Sequence, residues 1–417
     1  MERIIFHIDV NSAFLSWEAV YRLKHRMESV DLRTIPSAVG GDKEKRHGII
    51  LAKSIPAKRY GIRTAETLND ALKKCPDLVI VPPRYELYKK CSKAFMDILL
   101  EYSPKVEQYS IDEAFVDMTC SDFLFGSPVV AANLIKNRIH DELGFTVNIG
   151  VAHNKLLAKM ASDFKKPDLV HTLFEWEIPS KMWPLPVGDL FFVGRATTKK
   201  LRNLGIYTIG DLAKSDLSII KSHLGKHGEL IYNYANGIDA SPVTKEPPAN
   251  KGYGNSTTID HDVTDTKEAK KILLSLCETV CSRLRKDSVM ITVVSVSIKN
   301  CYLAGASHQK TLLSPTNVVG ELHRHVCTLF DELWDGSPIR QLGVHTSRIT
   351  NDQNQQLNLF DMDMFVRQGR LEKVIDQIRE KYGDDSVFRA SFAKGHGEHM
   401  TGGIKKEHQN PDKDNIL

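Results

Sequence analysis

Asp9 closes a mostly apolar run, Ile4 to Val10, and Asp112 and Glu113 stand side by side between the two strand-like halves of Val106 to Met118. Three carboxylates that one sheet can gather, with the Val10 carbonyl as a further oxygen, are hard donors suited to Mg²⁺. Two such ions about 3.5–4 Å apart lower the pKa of an attacking hydroxyl and stabilise the entering and leaving oxygens of an in-line phosphoryl transfer. Acids at strand ends are also common solvated groups, so spacing alone leaves both readings open. Lys53, Lys58 and Arg59 follow a strand at 48–52, and Lys155 follows Asn154 at the end of another. From such places basic groups reach a triphosphate or simply meet solvent.

These side chains need elements to position them. Ile4-Ile5-Phe6-His7-Ile8-Asp9-Val10 suits a strand buried on both faces, and Ser12 begins a helix carrying Phe14, Trp17, Val20 and Tyr21. Asp9 thus falls at the strand's C-terminal end. A turn over Val39 to His47 precedes a strand, Gly48 to Ala52, and a short strand, Leu78 to Val81, precedes an amphipathic helix from about Tyr85 to Tyr102. Val106 to Met118 reads as a hairpin with acids at its turn. A helix from Pro128 to Leu143 and a strand from Thr146 to Ala152 complete a mixed α/β unit closing near Lys166-Pro167, and the pattern allows one sheet for all of it.

From there to about 240 the chain is helical with Gly turns, and Val193 to Ile206 has a helix-hairpin-helix layout. Such a turn lets backbone N–H groups approach a phosphate, with Lys199, Lys200 and Arg202 supplying charge. A helix pair with a solvated basic face has the same pattern. Pro242, Glu246-Pro247-Pro248 and Gly252 mark a linker over 237–251. Beyond it the periodicity predicts strand 252–259, helix 266–285, strands 289–299 and 307–313, helix 316–334 and strand 340–348. This βαββαβ order covers one face of a sheet with helices and leaves the other open. Ser256, Thr258, Lys299, Thr346 and Arg348 lie on those strands, where phosphates or solvent suit them equally.

After 350 a polar stretch carries an abrupt Leu357-Asn358-Leu359-Phe360, which reads as a docking peptide. A helix over 368–382 follows, and 393–417, charged and without apolar periodicity, is expected to be disordered.

At 417 residues, with 41% hydrophobic and 26% charged residues, the chain needs two to four domains. Its 56 Lys and Arg against 52 Asp and Glu give +4, which excludes a global polycation but not local basic surfaces. Without an apolar run near ~18 residues or a signal-peptide pattern, a cytoplasmic protein is expected. The seven cysteines include no C-x-x-C pair; Cys277 and Cys281, four apart on a helix face, are read as buried small hydrophobes.

Read together, four strings resemble the Y-family translesion DNA polymerases, most closely the bacterial DNA polymerase IV type. They are Phe6-His7-Ile8-Asp9-Val10-Asn11-Ser12-Ala13-Phe14, Ala57-Lys58-Arg59-Tyr60-Gly61-Ile62, Tyr109-Ser110-Ile111-Asp112-Glu113-Ala114-Phe115-Val116-Asp117, and Gly150 to Ser162. The resemblance spans about residues 3–360. It implies an α+β multidomain right hand: palm at 1–10 and 75–165, fingers at 11–74, helical thumb at 166–236, little finger at 252–350. It further implies that Asp9, Asp112, Glu113 and the Val10 carbonyl bind two Mg²⁺ ions. Phe14 takes the steric-gate position under the incoming sugar, and Lys58 and Lys155 face the triphosphate. Gln356, Leu357, Leu359 and Phe360 resemble the peptide that docks bacterial polymerases on the sliding clamp.

The implied function is low-fidelity, template-directed synthesis from dNTPs on primed DNA, by a monomer without proofreading. Asn11 and Ala13 depart from the usual polymerase IV pattern, and Asp-Val-Asn-Ser looks more like the polymerase V catalytic subunit. Ile55-Pro56-Ala57-Lys58 replaces the frequent Tyr-x-Ala-Arg, losing a hydroxyl and a bidentate guanidinium, so weaker nucleotide binding is expected. A catalytically weak DNA-binding accessory protein of the clamp is the alternative, but it should have lost metal ligands. A nucleotidyl cyclase would not need the chain after 166.

Overall fold

The computed structural model describes residues 2–25, 27, 30–41, 48–246, 249–351, 362–393 and 399–400. Its strands are β1 (Ile5–Val10), β2 (Ser37–Gly40), β3 (Ile50–Lys53), β4 (Val79–Val81), β5 (Val106–Gln108), β6 (Glu113–Asp117), β7 (Val147–Ala152), β8 (Val170–Thr172), β9 (Gly252–Val263), β10 (Val289–Asn300), β11 (Gly305–Thr316) and β12 (Ile339–Asn351). The chain divides into two compact units between residues 247 and 248.

In the first unit a five-stranded sheet has the order β5-β6-β1-β7-β8. β1 lies between β6 and β7, antiparallel to both, and all six of its residues are buried. Strand alternation sends Phe6, Ile8 and Val10 into a core shared with the helices Tyr85–Tyr102 and Pro128–Leu143. Ile5 enters a different core with the helix Lys155–Ser162. His7 and Asp9 share Ile5's face. That helix lies close against β7 because Gly150 has no side chain: a Cβ there would stand 1.9 Å from the Ala158 carbonyl oxygen. The helices Arg195–Asn203, Ile209–Ala213 and Leu217–Ala235 extend the second core.

One sheet for everything before residue 166 is not what forms. β3, β2 and β4 make a separate three-stranded sheet, with β4 parallel to β2. It has its own small core around Ala38, Ile50, Ala57, Ile62 and Leu68. These strands are only three or four residues long, and their residues alone carry no signal of which sheet they join.

The second unit is a four-stranded sheet in the order β11-β10-β12-β9. The helices Thr266–Lys286 and Val319–Leu333 share a core with it, in the βαββαβ order. Cys277 and Cys281 are fully buried there. His323 and Cys327, at the same four-residue spacing on the facing helix, form a matching pair that the sequence reading passes over. The His323 Nε2 donates to the Lys270 carbonyl at 2.9 Å if protonated there, and among the described residues no three potential ligands gather around a metal position.

The C-terminal part is more ordered than its composition suggests. A helix runs from Met362 to Tyr382, six residues earlier than expected at its start, and is followed by short turns to Phe392. Its inward side is charged: Glu372 and Asp376 bind Arg285 at 2.6 and 2.5 Å. Glu278, on the helix Thr266–Lys286, meets Arg389 at 2.6 Å, His399 at 3.3 Å and Arg379 at 3.7 Å. Phe392 is buried, and so is the side chain of His399, which lies within the stretch from 393 that reads as disordered. Periodicity searches for apolar faces, and this interface is held mainly by ions.

Burial alone pushes the Glu278 carboxyl up, but the His399 hydrogen bond and the Arg379 and Arg389 guanidiniums hold it below its ordinary value of 4.5. A depressed carboxyl stabilises the fold above that value and loses its contribution as the pH falls. Glu278→Gln should therefore lower the melting temperature of the second unit at pH 7, with the deficit shrinking below about pH 4.5. Thermal melts at pH 7, 5 and 3.5 check this. Cutting the chain after residue 361 removes all these partners at once and uncovers the helix that carries Glu278 and Arg285, and should lower the melting temperature of the second unit more than Glu278→Gln does.

Candidate active site

The site follows from ladder register. Asp9 on β1 stands opposite Glu113 on β6, and the Val10 N–H donates to the Asp112 carbonyl at 3.0 Å. The hairpin turn is held by Ser110, whose hydroxyl donates to Asp112 Oδ1 at 2.6 Å. Asp9 and the adjacent pair Asp112-Glu113, about a hundred residues apart in sequence, therefore reach the same end of one sheet. Asp9 is 7% exposed and receives the Lys166 ammonium, which also meets Asp163 at 2.9 Å. Glu113 Oε1 accepts from Lys159 at 3.0 Å, while its Oε2 lies 3.7 Å from His7 Nε2.

The two acids respond oppositely to their surroundings. Burial pushes the Asp9 carboxyl up to about 6, with Lys166 offsetting only part of it and Glu113 and Asp112 adding to it. Burial also raises Glu113, but His7 and Lys159 outweigh it and bring its carboxyl down to about 2. Asp9 is therefore an undercompensated buried charge, the kind a divalent cation satisfies. The donor set fits a hard metal ion. With Asp9 turned to Lys166 and Glu113 to Lys159, no three ligating groups converge among the described residues. A metal ion bound by this set would exchange their ammonium partners for the cation.

Beside the acids opens a cleft of about 730 Å³, lined by Asp9, Val10, Phe14, Lys58, Asp112 and Lys166 among others. The chain turns sharply into it at Ser12, whose φ of 50° is left-handed. Phe14 then enters on the first turn of the helix Ala13–Lys24 and stacks on Tyr88, with ring centroids 4.5 Å apart and planes 12° from parallel. Tyr88 is fully buried and donates its hydroxyl to Glu18 at 2.9 Å, so the Phe14 ring rests on a fixed support. Lys58 sits on the helix Ile55–Arg59, whose start Ser54 caps by accepting from the Ala57 N–H at 3.1 Å.

The expected lysines do not all meet. Lys155 is not among the cleft-lining residues; its ammonium binds both Glu107 oxygens, at 2.7 and 2.8 Å. Lys166, Lys53 and Arg33 line the cleft instead. Lys166 was reachable from the Lys166-Pro167 boundary, but nothing in a lone lysine says that it faces Asp9. Lys199 and Arg202 line a second hollow with Gly194 and Arg195, and Lys200 lies on the same helix outside it. In the second unit Ser256 lines a hollow with Lys299 and His345, whereas Arg348 is exposed elsewhere on β12 with a left-handed φ of 53°. Gln356, Leu357, Leu359 and Phe360 lie outside the described residues.

Comparison with known proteins gives this geometry its setting. Residues 8–163 match the impB/mucB/samB family, 188–239 the DNA polymerase-iota thumb domain, and 250–359 the impB/mucB/samB family C-terminal domain. A DNA polymerase IV of Clostridium acetobutylicum is 46% identical over 390 residues, covering 94% of this chain and 98% of that relative. DNA polymerase IV 2 of Bacillus subtilis is 38% identical over 405 residues, covering 95% and 96%. This chain belongs to the DNA polymerase IV type of Y-family translesion polymerases. A solved chimeric Y-family DNA polymerase has the same fold, with a TM-score of 0.70 at 21% identity over 84% of this chain and 99% of that one. The Y-family enzyme is thus a DNA-directed DNA polymerase with a right-hand fold, acting on DNA and nucleotides by metal-dependent nucleotidyl transfer.

Within this polymerase the departure at Asn11 has a local reason. Its side-chain oxygen accepts from Thr146 Oγ1 at 3.0 Å and from the Asp168 N–H at 2.9 Å, and its amide donates to Asn148 at 3.3 Å. An aspartate would lack that last donor. No described helix of the polymerase is long and apolar enough to cross a membrane.

The lysine placements separate experimentally. Lys166→Ala should raise the dNTP KM about tenfold, the size of one lost charge-assisted hydrogen bond. Lys155→Ala should leave that KM nearly unchanged, because its ammonium is committed to Glu107. Single-nucleotide insertion kinetics on a primed template measure both.

Proposed function

We propose that Asp9, Asp112 and Glu113, with the Val10 carbonyl, hold two Mg²⁺ ions during extension of a primer 3′-hydroxyl. The observation that carries this is the register placing Asp9 opposite Glu113, with the Val10 N–H bonded to Asp112. The ions supply charge neutralisation and a more acidic hydroxyl. The chain's own groups do the positioning. Lys58 and Lys166 stand where they can meet a triphosphate beside the acids, and Lys53 adds charge nearby. Phe14, backed by Tyr88, closes the cleft floor where a sugar 2′-hydroxyl would otherwise fit, which selects dNTPs over rNTPs.

In the same reading residues 1–10 and 75–165 are the palm, 11–74 the fingers, 166–236 the thumb and 252–350 the little finger, joined by 237–251. β4, inside the 75–165 range, pairs with β2, inside the 11–74 range, so these two parts share the small sheet. Lys199, Lys200 and Arg202 of the thumb, and Ser256 and Arg348 of the little finger, contact the phosphate backbone. Gln356, Leu357, Leu359 and Phe360 tether the polymerase to the sliding clamp, raising its local concentration at primer ends. One chain carries all the acids, consistent with a monomer, and bacterial chromosomal DNA places it in the cytoplasm. Low fidelity without proofreading completes the reading.

Primer extension with Mg²⁺ and four dNTPs tests the acids: Asp112→Asn and Glu113→Gln should each lose extension while still binding primed DNA. Phe14→Ala should admit rNTPs. Replacing Leu357, Leu359 and Phe360 by Ala should abolish stimulation by added clamp and leave unassisted extension intact.

A further inference from the structure

A phenylalanine stands where the backbone calls for glycine. Phe192, in the turn before the helix Arg195–Asn203, has a φ of 70°. A bulky side chain enters that left-handed region only at a cost, whereas glycine adopts it freely. Burial offsets only part of the cost here, because the residue is 52% exposed. Its ring packs edge-on against Phe191, with centroids 4.5 Å apart, and lies 6.0 Å from the ring of Tyr234. Phe191 in turn meets Tyr109 at 6.2 Å, and Tyr109 is 45% exposed. Four rings from three distant segments thus form one ridge, with Phe192 and Tyr109 on its surface.

The ridge runs between two places that the proposed reaction uses. At one end the Tyr109 N–H donates to the Glu113 carbonyl at 3.0 Å. There the Lys159 ammonium that holds the Glu113 carboxylate lies 5.8 Å from the ring centroids of both Tyr109 and Phe191. At the other end Val193, next in the chain to Phe192, begins the hollow lined by Gly194, Arg195, Lys199 and Arg202. The cleft beside the acids is lined by Asp9 and Asp112 but not by Glu113, Tyr109 or Phe192. Two substrates have to meet at the acids. With a nucleotide in the cleft, the strand to be extended comes in on the Glu113 side, over the ridge, with its phosphates toward the basic hollow. The bases of a duplex face their partners, so such a strand offers the rings its sugars, whose carbon-bound hydrogens suit aromatic surfaces.

We infer that Phe192 and Tyr109 are positioning residues for the primer: their rings pack against the sugars at its 3′ end and hold the terminal hydroxyl on the Glu113 side of the acids. The inference rests on the acids being the site of primer extension, as proposed above.

Nucleotide insertion by the full-length chain, with primed template varied at saturating dNTP, compares Phe192→Gly, Tyr109→Ala and Tyr109→Phe with the native protein. Glycine relieves the backbone, so Phe192→Gly should melt close to the native protein, yet raise the primed-template KM about tenfold with the dNTP KM unchanged. Tyr109→Ala should raise the primed-template KM as well, and Tyr109→Phe should not, since the ring and not the hydroxyl makes the contact. Because the contact is apolar, the KM ratio of Phe192→Gly to native should hold as salt is raised, unlike the effect of losing a phosphate-bound lysine. p-Benzoylphenylalanine at position 192 should crosslink on illumination to the 3′ end of the primer strand. Crosslinks to the template, farther up the primer or to neither strand overturn the inference, as does a native primed-template KM in Phe192→Gly. Should Phe192→Gly melt early, the crosslink and the Tyr109 pair still decide. Glu113→Gln separates the two layers: if it abolishes extension while Phe192→Gly keeps the native KM, the acid reading stands and this one falls; if it leaves extension intact, both fall.

Discussion

Burying Asp9 at the end of a central strand is the constraint around which the first unit is arranged. An ionised carboxylate taken out of water needs compensation, and the ladder can supply only backbone donors. Part of the rest comes from outside the sheet, where Lys166 reaches in from just beyond the helix Lys155–Ser162, while the hairpin acids alongside add to the demand. The raised Asp9 carboxyl records that the lysine alone does not complete the compensation. A site left in this state favours a divalent ion, and costs the metal-free protein stability that an apolar strand end would retain.

The two faces of β1 keep this cost local. One face joins a large apolar core with two long helices, which fixes the strand irrespective of what the acids do. The other face changes along its length from Ile5 through His7 to Asp9, from apolar to ionic, against a single short helix. Because Gly150 lets that helix lie on the backbone of β7, Lys159 reaches Glu113 and Ser162 reaches His7 from a rigid element and not from a loop. Precise placement of charge in a water-poor site depends on such rigidity.

The second unit uses buried ions differently. Glu278, Arg285, Glu372 and Arg379 are all nearly inaccessible, and they join the C-terminal helix to the helix Thr266–Lys286. Ion pairs of this kind add little net stability over an apolar interface but are intolerant of a missing partner. They specify one docking position for a segment whose apolar content is low, and residues 362–393 are therefore part of the unit's structure.

The residues themselves determined the order of elements, because apolar runs such as Ile4 to Val10 and helical stripes such as Leu87 to Leu99 express burial directly. They also pointed to the family, since the strings around Asp9, Asp112 and Glu113 carry the resemblance that the polymerase IV relatives bear out. Tertiary structure alone decided which lysine serves which acid. A lysine has a long flexible stem and no periodic signature, so Lys155 turning to Glu107 while Lys166 turns to Asp9 depends on helix placement at Gly150. It likewise decided that β2, β3 and β4 form their own sheet, because strands of three or four residues carry too little pattern to choose a partner. The ionic docking of the C-terminal segment was hidden for a related reason: charges read as solvated until the fold brings their counter-ions to them.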